Sequence, residues 1–167
     1  MKAFAGLSKG THLFSFLIVW GQKGRFSHAF LAVFIEHKNQ WYVIDSTGKG
    51  VKIHLMAEFA KHNRIVKKFE IKGADEKKNM EAINKAISLS YTEYPKLEIV
   101  GNAIQILVKW FSFGKFIIKN PFSLGEKKPR CQELVAIFLR DVYGYELKEE
   151  LDSTDLLWFE QYMEANT

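Results

Sequence analysis

The chain of 167 residues has one cysteine, Cys131. A single thiol excludes an intramolecular disulfide and any zinc site built on a cysteine pair, and it suits a reducing compartment. Long uncharged apolar runs are also missing. A membrane-spanning helix needs about 20 apolar residues, whereas the run at 13–20 is far shorter and Glu98, Lys109, Lys115 and Lys119 break up the apolar stretch 97–122. The N-terminus lacks the small-residue cleavage pattern of a signal peptide. A chain acting in the cytoplasm, or one delivered by a virion or a secretion system, is therefore expected. A dense basic stripe is absent too: 24 Lys and Arg against 19 Asp and Glu leave a net charge of +5, scattered in short groups such as "QKGR", "EKKN" and "EKKPR". This mild excess slightly favours anionic partners but implies no specific nucleic-acid binding. No internal repeat, low-complexity tract or linker divides the chain, so one domain covering 1–167 is expected. A chain of this length can bury well over half of its unfolded surface without a metal or disulfide staple.

The apolar pattern places strands first, at 12–20, 28–36, 40–45, 50–55 and 64–71, with a short helix near "LMAEFAKH". The strand at "SHAFLAVFIE" is apolar at nearly every position and reads as buried on both faces. "HKNQ" between the second and third strands predicts an antiparallel hairpin, and Gly48 and Gly50 mark the turn at its far end. A helix over 75–90 is predicted with Met80, Ile83, Ile87 and Tyr91 on one face, and "YTEYPK" ends it. The stretch 97–122 reads as a core helix followed by a loop or strand, although Trp110, Phe111, Phe113 and Phe116 among lysines would also suit peripheral membrane contact. In "CQELVAIFLRDV", Cys131, Leu134, Val135, Phe138 and Val142 recur at helical spacing, with the cysteine in the first turn. A last helix starts near "DSTDLLWF", capped by Asp152 or Ser153. The fold class is α+β, an antiparallel sheet packed against helices.

Three residues sit where chemistry would need them. Cys131 opens a helix, whose partial positive charge and unpaired amides lower a thiol pKa and can hold a developing oxyanion. His28 opens a strand that has little room for an idle imidazole, and Asp45 closes the facing strand. An imidazole can take the thiol proton, and a carboxylate can orient that imidazole. With a tight turn at Lys38 and Asn39, Asp45 would face Ala32, about 13 Å along the strand from His28. A bulge or a longer turn would bring it closer. The same simple register puts Thr47 opposite Phe30, one step from His28, and makes it the alternative orienting residue.

"FSHAFLAVF", "WYVIDSTGKGV", "YTEYPK", "CQELVAIFL" and "DSTDLLWF" together resemble the circularly permuted papain-fold proteins of the NlpC type, whose relatives include lecithin retinol acyltransferase-like enzymes and bacterial amidase-like hydrolases. As in that permuted group, the histidine strand comes first and the nucleophile helix late in the chain. "IDSTGKG" is similar to the Asn-Ser-x-Gly strand end that orients histidine in papain-like enzymes, with Asp45 in the asparagine's place, and Gln132 stands where many members have serine. The resemblance implies a thiol hydrolase (peptidase or amidase) or acyltransferase with Cys131 as nucleophile, His28 as proton carrier and Asp45 as orienting residue. It implies peptide, isopeptide or lipid acyl substrates, and it requires neither a metal nor an organic cofactor. The contrasting expectation is a catalytically silent module of the same fold that binds a protein or membrane partner through 97–122. His12, His37, His54 and His62 match no metal-binding spacing and are expected to be exposed or structural.

Overall fold

The computed structural model describes residues 2–11, 25–47, 50–90, 131–147 and 156–166. Its centre is a five-stranded sheet in which every neighbouring pair is antiparallel. The strands are β1 (Ala3–Gly10), β2 (His28–Ile35), β3 (Gln40–Thr47), β4 (Gly50–Leu55) and β5 (Asn63–Glu70), and their order across the sheet is β4-β3-β2-β1-β5. Four helices complete the described residues: α1 (Met56–His62), α2 (Glu76–Ser90), α3 (Cys131–Asp141) and α4 (Leu156–Asn166). The α+β class and the antiparallel sheet expected from the sequence are therefore present.

Alternation along the strands divides the apolar residues between the two faces. Ala5, Leu7, Leu31, Val33 and Ile44 point to one side, where they pack with Ala82 and Ala86 of α2, Leu134 and Phe138 of α3, and Phe159 and Met163 of α4. Phe4, Phe30, Ala32 and Val43 point to the other, where Phe59 of α1 packs on them. Residues Ala29 to Val33 of β2 are fully buried, which agrees with the two-sided burial read from the sequence. The outer strand β5 is tied to α4, because Lys67 pairs with Glu160 and Glu164. A bulge between Leu7 and Ser8 leaves Val66 unpaired in the β1–β5 ladder and exposed.

Three expectations need correction. The first strand is β1 at Ala3–Gly10, which the sequence pattern did not reveal; the strand expected at 12–20 falls outside the described residues. "AFAGLSKG" is rich in small residues with low strand propensity, and burial between two neighbours decides its state instead. Gly6 has a packing reason, because the Phe30 ring lies directly over its α-carbon. Secondly, the buried face of α2 is shifted from the expected one: Asn79, Ala82 and Ala86 are buried, Met80 and Ile83 of the expected face pack against the core only in part, Ile87 is exposed and Tyr91 lies outside the described residues. Asn79 tolerates burial because its carboxamide donates to the carbonyls of Lys2 and Phe34 and accepts from the Tyr143 hydroxyl, each at 2.9 Å.

The third correction concerns the β2–β3 register. Glu36–Lys38 form a short 3-10 turn and Asn39 takes a left-handed conformation with φ 50°. Gln40 therefore pairs with Ile35 rather than His37, and Asp45 pairs with Phe30 rather than Ala32. The longer turn moves Asp45 by two residues toward His28, into the position that the tight-turn register gave to Thr47. The expected apolar segment 97–122 and the caps Asp152 and Ser153 lie outside the described residues.

Candidate active site

β2 begins with His28, whose side chain points to the same face as Phe30. Asp45 shares that face opposite Phe30 and is therefore the diagonal neighbour of His28, close enough for side chains to meet. Nε2 of His28 lies 2.9 Å from Oδ2 of Asp45. The carboxylate is 4% exposed, so this bond forms with little competition from water. Thr47, the alternative orienting residue, instead donates its hydroxyl to the Gly50 carbonyl at 3.2 Å and helps close the β3–β4 turn.

Cys131 reaches the same place from the opposite face. α3 packs on β2 and β3 through Leu134, Val135 and Phe138, which sets its first residue beside the start of β2. There the sulfur lies within electrostatic reach of the His28 ring and of the amides of Ala29 and Gln132, each of which favours its charged form. Because Nε2 of His28 is engaged by Asp45, Nδ1 is the ring nitrogen left for exchange with the thiol. In the neutral state the thiol donates to Oε1 of Gln132 at 3.2 Å. The structure thus brings together Cys131, His28 and Asp45, three residues far apart in the chain.

Electrostatics favour a charge-separated pair. Burial pushes the Cys131 thiol up, but the imidazolium of His28 and the two amides outweigh it, and the thiol pKa is lowered. Burial likewise depresses His28, yet the adjacent thiolate and the hydrogen bond to Asp45 raise it from 6.5 to about 10. Each member of the pair shifts toward its charged form because the other is charged, so their protons are linked. The first turn of α3 adds partial positive charge at the sulfur.

A fourth residue belongs to the arrangement. His54, expected to be structural or exposed, places Nε2 3.1 Å from the other carboxylate oxygen, Oδ1 of Asp45. The Phe59 ring stands 6.4 Å from both imidazoles, covering the group from the α1 side. The signal for His54 lay in the β3–β4 hairpin: with Thr47 paired to Gly50, His54 pairs with Val43 and shares Asp45's face. Elsewhere, His37 bonds Glu76 through Nδ1 at 2.7 Å, the His62 carbonyl accepts from Thr11, and His12 lies outside the described residues.

Among the described residues no group of three or more His, Cys, Asp or Glu is placed to hold a metal ion. None of the described helices is long and apolar enough to cross a membrane. No protein-family model matches the chain, and no curated protein matches it significantly. The site's geometry and chemistry therefore carry the functional reading.

Proposed function

We propose that the protein is a thiol-dependent hydrolase or acyltransferase, with a papain-like arrangement in permuted order, acting on an amide or ester bond. The observation that carries this reading is His28, held through Nε2 by the buried Asp45 carboxylate at 2.9 Å and electrostatically coupled to the Cys131 thiol at a helix start. A packing role alone would require neither the charge pair nor its third member. The late cysteine, the early histidine strand and the antiparallel sheet with a helix against it are consistent with the permuted order.

In this reading the Cys131 thiolate attacks the carbonyl carbon and its electron pair forms the new C–S bond. The carbonyl π electrons move to oxygen, and backbone amides at the start of α3, including that of Cys131, help hold the oxyanion. Collapse of the intermediate breaks the bond to the leaving amine or alcohol, which takes the proton from Nδ1 of His28. Asp45 keeps the ring in place through Nε2 throughout. The neutral imidazole then removes a proton from water, or from an alcohol or amine acceptor, which attacks the thioester and releases the thiolate. Peptide, isopeptide and lipid acyl groups are the proposed substrate classes.

A chromogenic ester tests the reading whatever the natural substrate. Incubated with p-nitrophenyl acetate, the protein is expected to release nitrophenolate and to carry acetyl on Cys131 by peptide mass mapping. Cys131→Ala should abolish both signals. Release that persists in Cys131→Ala, or a parent without acetyl on Cys131, would remove the basis for the proposal.

A further inference from the structure

Asp45 is held at both ends. Oδ2 meets Nε2 of His28 at 2.9 Å and Oδ1 meets Nε2 of His54 at 3.1 Å, and the two imidazoles come from strands on either side of β3. We infer that His54 is a positioning residue of the site, which fixes the Asp45 carboxylate so that Oδ2 stays on the His28 ring. The inference rests on the proposed thiol chemistry and extends it from three residues to four.

The physical need arises from the freedom of a carboxylate. An aspartate bonded through one oxygen can swing about its side-chain torsions, and terminal torsions of this kind are broad. A swing that lengthens the Oδ2–Nε2 bond also lets the ring tilt, and Nδ1 then loses its alignment with the thiol. A donor on Oδ1 removes that freedom. Burial reinforces the requirement, because a nearly inaccessible carboxylate needs protein donors to replace lost water. His54 makes ring contact with Phe59, as an apolar side chain at position 54 could also do, but only a donor side chain can bond Oδ1.

The register makes the second bond specific. Asp45 pairs with Lys52, and His54 is one same-face step along β4, the mirror of the diagonal step that joins Asp45 to His28. The imidazole side chain is 24% exposed, so the site is bounded by His54 toward the β4 edge, while the thiol lies on the β2 side.

The test follows the pH dependence of Cys131 alkylation by iodoacetamide in the parent, His54→Leu and His54→Gln, with thermal melts confirming that each is folded. Glutamine retains a side-chain N–H at the reach of Nε2 and leucine does not. His54→Leu is expected to raise the midpoint of the reactivity profile by about one pH unit, which makes alkylation about tenfold slower below the parent midpoint. His54→Gln should recover most of that loss. If the leucine variant does not fold, His54→Ala takes its place in the same comparison. A midpoint in His54→Leu equal to or below the parent's, or a glutamine variant no better than leucine, would overturn the positioning role while leaving the thiol chemistry intact. A parent thiol that titrates like a free cysteine would instead overturn the thiol chemistry, and the role of His54 with it.

Discussion

Gly6→Ala tests how the buried face of the sheet supports the site. A methyl group at residue 6 would fall 2.5 Å from Cε1 and 2.7 Å from Cε2 of Phe30, and nearer still to Cζ. Carbon atoms pack at about 3.5–4.0 Å, so the ring would have to retreat by about 1 Å or more. It has little room to do so, because it is fully buried, lies 4.7 Å from the Phe59 ring and meets Phe4 edge-on at 5.9 Å. Overpacking of this kind costs about 1–3 kcal/mol. At about 2–4 °C per kcal/mol for a chain of this size, a cost near ~2 kcal/mol corresponds to a Tm lower by about 4–8 °C. Thermal unfolding followed by circular dichroism measures it. Phe30→Leu provides the internal control: the double variant should be more stable than the summed losses of the two single variants, since leucine vacates the space the methyl needs. An unchanged Tm in Gly6→Ala, or strictly additive losses, would refute the packing described for β1 and β2. Because Phe30 pairs with Asp45 and touches Phe59, the same variant should also slow Cys131 alkylation.

Further expectations concern the neighbours and the proton balance of the site. Ser8 faces His28 across the β1–β2 ladder, and its hydroxyl is fully buried without a hydrogen-bond partner among the described residues. Ser8→Ala should therefore stabilise the protein by about 1 kcal/mol in urea denaturation; a loss of similar size would show that the hydroxyl is satisfied in solution. The proposed reaction requires the thiolate and the imidazolium together, so its kcat/KM should fall in acid as the lowered thiol pKa is crossed and in alkali as His28 loses its proton near pH 10. An alkaline limb near 6.5, the ordinary histidine value, would contradict the ion pair. The sign for stability follows from the same shifts. His28 favours folding fully below 6.5 and ceases to do so as pH rises through about 10, whereas the thiolate favours folding at high pH and ceases to do so as pH falls through its lowered value.

Strand and helix limits were legible wherever a turn signal or a long apolar period marked them. β4 begins at Gly50 and ends at Leu55 as expected, α2 starts one residue late, and α3 buries Leu134, Val135 and Phe138 as its spacing predicts. β1 was not legible, since Ala3, Ala5 and Gly6 are strand residues only because two neighbouring strands enclose them. The buried face of α2 was legible only in part: Met80 and Ile83 pack against the core as expected, but its centre is shifted because Asn79 behaves as a core residue once three partners satisfy its amide. For the site, residue types and local settings singled out Cys131, His28 and Asp45, but their meeting depended on a turn length that pattern alone left open. Glu36 to Asn39 close the hairpin, and that two-residue change in register separates an Asp45 beyond reach from one at 2.9 Å. His54 went unrecognised for a related reason: its partner is defined by the pairing of β3 with β4, which is invisible until the register is fixed.

The central claim is that Cys131 and His28 form an activated pair. Its most direct test is the rate of Cys131 alkylation by iodoacetamide across the pH range, comparing the parent with His28→Ala. The account predicts a parent thiol that reacts rapidly below neutrality, and a variant whose reactivity appears only near the ordinary thiol value of about 8.5. A parent that titrates near ~8.5, or that keeps its low-pH reactivity without His28, would contradict it.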